Sequence, residues 1–321
     1  MQSFLNSPLN IGSLRLTNRL IQGPLAGFSC APFRKLFIKH IAPAYCVSEM
    51  TSAHDVLYKH THNSRYLFRS PEEKFLCYQI AGADPQIMAT AAARLESIGA
   101  DLIDVNCGCP KTKIRKKGAG SALLEEPQRL MKIVTAIRQA ISIPLTVKIR
   151  IHGHDADLSL VRMLEEAGIN ALVVHGRHWS VDYDQPCDLQ QIAHIKRAVT
   201  IPVIANGDIC DRQSLMQTIA ITGCDGYMIS RAGTGKPWLY ENLLSNSEIH
   251  MEDDKLKATF LHHVTDLAKL ENDFKAMLQS KSLFRYYFKN RINEGQLQTF
   301  YALDNLADIE HSLKKLDLAP C

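Results

Sequence analysis

Two kinds of residue in this chain invite a chemical reading: one thiol just past an apolar run, and polar side chains that close the other apolar runs. Leu102, Ile103 and Val105 read as a short buried strand, Gly108 and Pro110 stop it, and Cys109 falls on the loop beyond. Five of the next seven residues are basic (Lys111, Lys113, Arg115, Lys116 and Lys117). The small residues 118–122 then let backbone approach a ligand closely. A thiol beside a cationic loop suits chemistry on a polyanion. Each part alone has an ordinary reading, because a buried Cys is a small hydrophobe and a lysine run is a solvated face.

The other apolar runs end in polar groups too. The run at 20–23 leads into Pro24-Leu25-Ala26-Gly27, and the one at 45–48 into Glu49. Gln79 closes a third, Lys148 and Arg150 a fifth, and His175 with Arg177 a sixth. Asn206-Gly207-Asp208 and Ser230-Arg231 follow the last two. Singly, Lys148 can pair with a carboxylate, His175 can be a satisfied core imidazole, and Asn206-Gly207 can be a turn. On one rim they need a common ligand.

What would place them on one rim is the alternation of eight short, doubly apolar strands with helices over about 240 residues, the pattern of a (β/α)8 barrel, an α/β TIM fold. Asp84-Pro85 is a helix start, and Gly99-Ala100-Asp101, Gly168-Ile169-Asn170 and Gly223-Cys224-Asp225 join helix to strand in matching ways. A doubly wound open sheet is the alternative, but no Gly-x-Gly-x-x-Gly follows the first strand. Residues 9–16 read as a hairpin plugging one barrel end. In such a barrel chemistry is built past the strand C-termini, and the last two loops often hold phosphate. The turns at Gly207 and 230–233 therefore imply a phosphorylated cofactor or substrate. Beyond residue 240 the pattern turns helical: Leu256 to Leu270, a basic segment at 275–291, and a third helix through Leu303 to Leu316. The expected division is a catalytic barrel over 1–240 and a small all-helical domain over 241–321.

The 321 residues are 46% hydrophobic and 22% charged, ordinary for a globular enzyme. No apolar run approaches a membrane span, residues 1–6 lack the features of a signal peptide, and the nine cysteines follow no framework spacing. A cytoplasmic protein with reduced thiols is expected. Cys107-Gly108-Cys109 lacks the second ligand pair of a zinc site, and His152-Gly153-His154 reads as an exposed loop, so no metal is expected. The net charge of +4 divides into +7 over 1–240 and −3 over 241–321, so any polyanion must be met by local clusters.

Taken together, Pro-Leu-Ala-Gly (24–27), Ser-Glu-Met (48–50), Gln-Ile-Ala-Gly (79–82), Asn-Cys-Gly-Cys-Pro (106–110), Val-Lys-Ile-Arg (147–150), His-Gly-Arg (175–177) and Ala-Asn-Gly-Asp (205–208) resemble the tRNA-dihydrouridine synthases, nearest to the bacterial B-type. The match runs in order over about residues 9–240 and is loose beyond. It implies an FMN-binding barrel with a helical domain that helps hold tRNA. By position, Pro24, Leu25, Ala26, Gln79, Lys148, His175, Asn206, Gly207, Asp208, Ser230 and Arg231 would hold FMN. Cys109 would be the catalytic acid, and Asn106 and Arg177 would meet the uracil edge. Where the family commonly has Gly-Arg after strand eight, this chain has Ser230-Arg231, a change expected to be tolerated because Ser still donates a hydrogen bond.

The implied reaction is reduction of a specific D-loop uridine (position 17 by B-type resemblance) to 5,6-dihydrouridine with NADPH as reductant. A hydride passes from FMN N5 to C6 and a proton from Cys109 to C5. Lys148 would stabilise the reduced flavin, and a thiol of ordinary pKa of about 8.5 is protonated at neutral pH. The target base must be flipped out to reach a barrel mouth. Lys113, Lys116 and Lys117 on one side, and Arg285 among Lys275, Lys281, Lys289 and Arg291 on the other, would hold the RNA backbone of the tRNA, with the interleaved Phe284, Tyr286, Tyr287 and Phe288 divided between core and base stacking. A monomer is expected. The alternatives are an FMN-dependent reductase of a free pyrimidine, which the basic loop and the helical region disfavour, and a catalytically inactive RNA-binding barrel.

Overall fold

The computed structural model describes residues 2–245 and 248–320; Met1, Asn246, Ser247 and Cys321 lie outside it. Eight parallel strands close a barrel: β1 Leu20–Gln22, β2 Cys46–Val47, β3 Leu76–Ala81, β4 Leu102–Cys107, β5 Leu145–Arg150, β6 Ala171–His175, β7 Val203–Asn206 and β8 Gly226–Ile229. Each pairs with its neighbour. Tyr227 opposite Leu20 joins β8 to β1, and Cys46 opposite Leu76 joins β2 to β3, which completes the ring. The short strand Thr51–Ser52 adds to the mouth end of β3.

Strand alternation sorts the side chains. Ile103, Val105 and Cys107 of β4 join the layer between barrel and helices, while Leu102 joins the barrel interior. The same rule sends Val173 of β6 and Ile204 of β7 inward, where the antiparallel hairpin Leu9–Ile11/Leu14–Leu16 caps them from below. Further along each strand the inward positions become polar: Gln79, Asp104 and Asn106, Thr146 and Lys148, His175, and Asn206, all buried. An apolar floor therefore carries a polar rim.

The helices between strands are stopped by local chemistry. Asp84 caps the helix Pro85–Ser97 by accepting from the Ile87 N–H, with Pro at its first position. Asp188 and Asp211 cap the helices Leu189–Ala198 and Arg212–Thr222 in the same way, and Gly223 ends the latter in a left-handed turn. Each such cap is worth about 1 kcal/mol. The helix Leu239–Leu244 packs into the barrel core, so the barrel unit runs past residue 240.

Four helices follow, Asp253–Leu270, Asp273–Tyr287, Glu294–Tyr301 and Ala307–Lys314, with a separate core that also takes in Cys30 and Leu36 of the barrel. The helix expected through Leu303 to Leu316 is Ala307–Lys314, and another precedes it. Asn293 and Gln296 form a reciprocal capping box that starts an extra helix at Glu294. Phe284, Tyr287 and Phe288 are core, and Phe284 stacks on Phe300 at 3.8 Å; only Tyr286 faces outward. Among the described residues no helix is long and apolar enough to cross a membrane.

Candidate active site

The strand ends open into a cavity of about 1610 Å³ between the barrel mouth and the helical module. Pro24, Leu25, Ala26, Gln79, Asn106, Cys109, Lys148, His175, Asn206, Gly207, Asp208, Ser230 and Arg231 all line it, together with Tyr286, Lys289 and Arg291 from the module. Cys107 does not: it points outward into the helix layer, fully buried, and burial pushes its thiol well above the ordinary range. The chain leaves the strand after Cys107, which is why two residues further on Cys109 faces the cavity instead.

Cys109 is held from both sides. Its N–H donates to Asn106 Oδ1 at 2.9 Å, and its carbonyl accepts from the Ser121 N–H and hydroxyl at 3.1 and 3.0 Å. A Cβ on Gly120 would lie 2.8 Å from that carbonyl, so the turn needs glycine there. Below, a chain of amides runs into the barrel: Asn106 Nδ2 donates to Gln79 Oε1 at 2.8 Å, and Gln79 Nε2 donates to Asp104 Oδ2 at 2.7 Å. Thr146 donates to the other Asp104 oxygen at 2.6 Å. Backbone N–H groups can only donate, so they fix Asn106 Oδ1 toward Cys109 and, link by link, require Asp104 to accept. Asp104, inside β4, is the anchor that reading strand ends misses.

Lys148 is 9% exposed, and its ammonium has no hydrogen-bond partner among the described residues. Burial pushes its pKa down to about 8, opposed by the Asp104 carboxylate. His175 is pushed down to about 2 by burial, with Lys148, Arg150, Arg177 and Arg231 adding to the shift. It is therefore neutral. Its Nε2 lies 3.1 Å from Arg177 Nη1, which can only donate, so the imidazole proton sits on Nδ1.

Arg177 departs from expectation. It is 3% exposed, stands outside the cavity lining, and spends its donors internally on His175, the Gln185 and Tyr183 carbonyls, Cys187 Sγ and both Asp208 oxygens at 2.6 and 2.7 Å. It braces the cavity wall from behind the lining. Asp208 is correspondingly engaged, accepting also from the Cys187 N–H at 2.9 Å. Arg115 is likewise withdrawn from the cationic loop, since it donates to Ser121 and Glu125 and lies 3.5 Å from the Trp179 ring centroid. Lys113, Lys116 and Lys117 are exposed outside the lining and have no side-chain partner among the described residues, as is true of Arg285 on its helix. Tyr183, hidden from sequence reading in a polar loop, stacks over His175 at 6.1 Å and carries the Arg231 guanidinium at 4.1 Å.

The phosphate-type turns are shaped by absent side chains. A Cβ on Gly207 (φ +120°) would meet Cys187 Sγ at 2.2 Å and the His175 ring at 2.9 Å. Ser230 fits because its hydroxyl occupies the space over Gly23, where a Cβ would come within 2.4 Å. Among the described residues no group of three His, Cys, Asp or Glu side chains is placed to hold a metal ion.

The sequence profile of the family described as dihydrouridine synthase (Dus) matches residues 21–317. The chain belongs to the dihydrouridine synthase family. With that family it is a flavin-dependent oxidoreductase on a (β/α)8 barrel. Relatives named tRNA-dihydrouridine synthase B include those of Vibrio cholerae, 37% identical over 92% of this chain and 94% of the relative, and of Pseudomonas aeruginosa, 39% identical over 74% and 72%. Among solved structures, an old yellow enzyme homologue from Zymomonas mobilis superposes with a TM-score of 0.55 at 13% identity, covering 77% of this synthase and 94% of that chain. A 2-naphthoyl-CoA reductase superposes with a TM-score of 0.60 at 15% identity over 76% of this synthase and 52% of that chain. Those two likenesses concern the fold.

Proposed function

We propose that this synthase reduces a D-loop uridine of tRNA, position 17 by its B-type relatives, to 5,6-dihydrouridine, with FMN as the flavin, NADPH as reductant and Cys109 as the proton donor. The observation that carries this reading is the joint presence, in one cavity, of a buried unpaired Lys148 cation and a Cys109 fixed by its own backbone. A buried ammonium without an acceptor fits an anionic ring edge, and the open turns at Gly207 and 231–233 fit a phosphate.

Bound FMN would supply the hydride for uracil C6. Lys148 would set its positive charge against the ring edge of the bound flavin and favour the ring's reduced form. Neutral His175 offers its Nδ1 proton to a carbonyl-type acceptor. Pro24-Leu25-Ala26 forms an apolar wall that excludes water, and Asn206, whose Nδ2 is spent on the Met228 carbonyl at 2.9 Å, presents its oxygen to the cavity. Cys109 gives its proton to C5 as the flipped base enters. Asn106 retains one amide hydrogen for the base edge, because its other groups are taken by Gln79 and the loop N–H groups. Lys111 in the lining and Lys113, Lys116 and Lys117 outside it form a cationic approach for the RNA backbone, with Arg285 and Lys289 opposite. On this reading the synthase acts as a monomer in the reducing cytoplasm, where the cysteines that are free among the described residues stay reduced.

The test is mass-spectrometric mapping of dihydrouridine in tRNA from cells with and without this gene, alongside cofactor release from purified protein. The expected result is loss of one D-loop dihydrouridine and release of FMN. An unchanged modification map, or turnover of free uridine at a rate matching tRNA, would overturn the reading.

A further inference from the structure

The helical module touches both loops that face the flavin site, and one largely buried side chain joins it to the first of them. Arg65, on the loop after the helix Ala53–Tyr58, is 11% exposed in its side chain and reaches three parts of the fold at once. Its Nε donates to Glu49 Oε1 at 2.6 Å, at the end of β2. Its Nη1 donates to Glu271 Oε2 at 2.5 Å and Gln279 Oε1 at 2.6 Å, both in the helical module. Its Nη2 donates to the Gly27 carbonyl at 2.8 Å, and the Gly27 N–H donates to the second Glu49 oxygen at 2.6 Å. Gly27, at φ +85°, closes the Pro24-Leu25-Ala26 segment that lines the cavity.

Two further contacts join the same partners. Phe28 meets Tyr286 of the module edge-to-face at 5.4 Å. On the other side of the mouth, Gly235 follows the Ser230-Arg231-Ala232-Gly233 turn so closely under the module that a Cβ would lie 2.8 Å from Tyr286 backbone.

We propose that Arg65 is a positioning residue through which the docked helical module sets the cofactor-facing loop 24–27, so that the module is a structural part of the flavin site as well as an RNA-facing surface. This rests on the flavin reading above. A guanidinium is a rigid planar fork, so anchoring Nη1 in the module fixes the direction in which Nη2 grips Gly27. A lysine has one charged point and cannot hold these directions together. Glu271 stands in the module and does not line the cavity, yet its loss would leave Nη1 held by Gln279 alone and let the loop shift.

The experiment is titration of the flavin-free full chain with FMN, followed by quenching of flavin fluorescence, for native protein and four variants. Loss of one charge-assisted contact at the clasp is expected to weaken FMN binding about 10-fold in Glu271→Ala and Arg65→Lys. Gln279→Ala, a milder cut of the same clasp, keeps the test usable if either of those folds poorly, and should weaken binding about 3-fold. Asn293→Ala removes the capping box of the module helix Glu294–Tyr301 and should lower thermal stability while leaving the FMN dissociation constant unchanged. Native affinity in Glu271→Ala and Gln279→Ala, or equal weakening in Asn293→Ala, overturns the proposal. Native protein that takes up no FMN would instead overturn the flavin reading.

Discussion

Replacing Asp104 tests whether the amide chain beneath Cys109 is held by an acceptor or by a charge. Asp104→Leu keeps the heavy-atom outline but removes both acceptors, leaving Gln79 Nε2, now at 2.7 Å from the carboxylate, buried without that partner and Thr146 Oγ1 with only the Ile103 carbonyl at 3.4 Å in place of its 2.6 Å bond. The orphaned Gln79 donor should cost about 1–3 kcal/mol. Asp104→Asn behaves differently. Its Oδ1 can keep Gln79, and its Nδ2 can donate to Thr146, whose hydroxyl can turn to the Ile103 carbonyl at 3.4 Å. That rearrangement should cost no more than about 1 kcal/mol. Urea denaturation at constant slope reads the two losses. The same order should appear in tRNA-driven flavin reoxidation, with Leu slower by about 10- to 100-fold and Asn close to native, since only Leu leaves Gln79, Asn106 and the Cys109 N–H unanchored. Equal effects of Asn and Leu would show that the negative charge opposite Lys148 matters and that the acceptor does not, which would refute the reasoning.

Three other outcomes follow from the site. Lys148→Met should stabilise the flavin-free protein at pH 7 by on the order of 3 kcal/mol while weakening flavin binding, because the native ammonium is held at about 8 against an ordinary 10.5 and the unfolded chain binds the proton more tightly; that stability difference should shrink as pH rises from 8 to 10.5 in denaturation curves. His175 and His263, at about 2 and about 3, stay neutral when folded but take protons when unfolded below about pH 6.5, so stability should fall as pH drops below 6.5, and less steeply in His263→Gln, as read by thermal melts across pH 4–7. Replacing Lys113, Lys116 and Lys117 by Gln should reduce the slope of log affinity for tRNA against log salt by about 2 to 3, measured by filter binding; an unchanged slope would exclude that loop from RNA contact.

The barrel was legible because its strands are short, doubly apolar and evenly spaced, and because Asp84-Pro85 and Gly223 mark helix ends directly. The rim residues were legible because inward positions change from apolar to polar along each strand, as at Cys77 and Gln79 or Val173 and His175. What sequence order does not reveal is how donors are spent. Arg177 and Arg115 sit where a ligand-binding arginine would sit, yet both are consumed by neighbours brought in from other loops, Asp208 for one and Glu125 and Trp179 for the other. Asp104 was hidden for the opposite reason, since a carboxylate in mid-strand gives no hint that Gln79 and Thr146 from adjoining strands will donate to it. The aromatic cluster at 284–288 divides as helical spacing requires, with 284, 287 and 288 on the buried face and 286 outside.

The central claim, that Cys109 protonates a uridine reduced by the flavin in this cavity, is tested most directly by stopped-flow mixing of anaerobically reduced protein with unmodified tRNA. Native protein and Cys107→Ala should reoxidise at similar rates and yield one dihydrouridine per flavin. Cys109→Ala should bind FMN and be reduced by NADPH normally, yet reoxidise about 10²- to 10⁴-fold more slowly. Native-rate reoxidation in Cys109→Ala, with the loss falling on Cys107→Ala instead, would contradict the account.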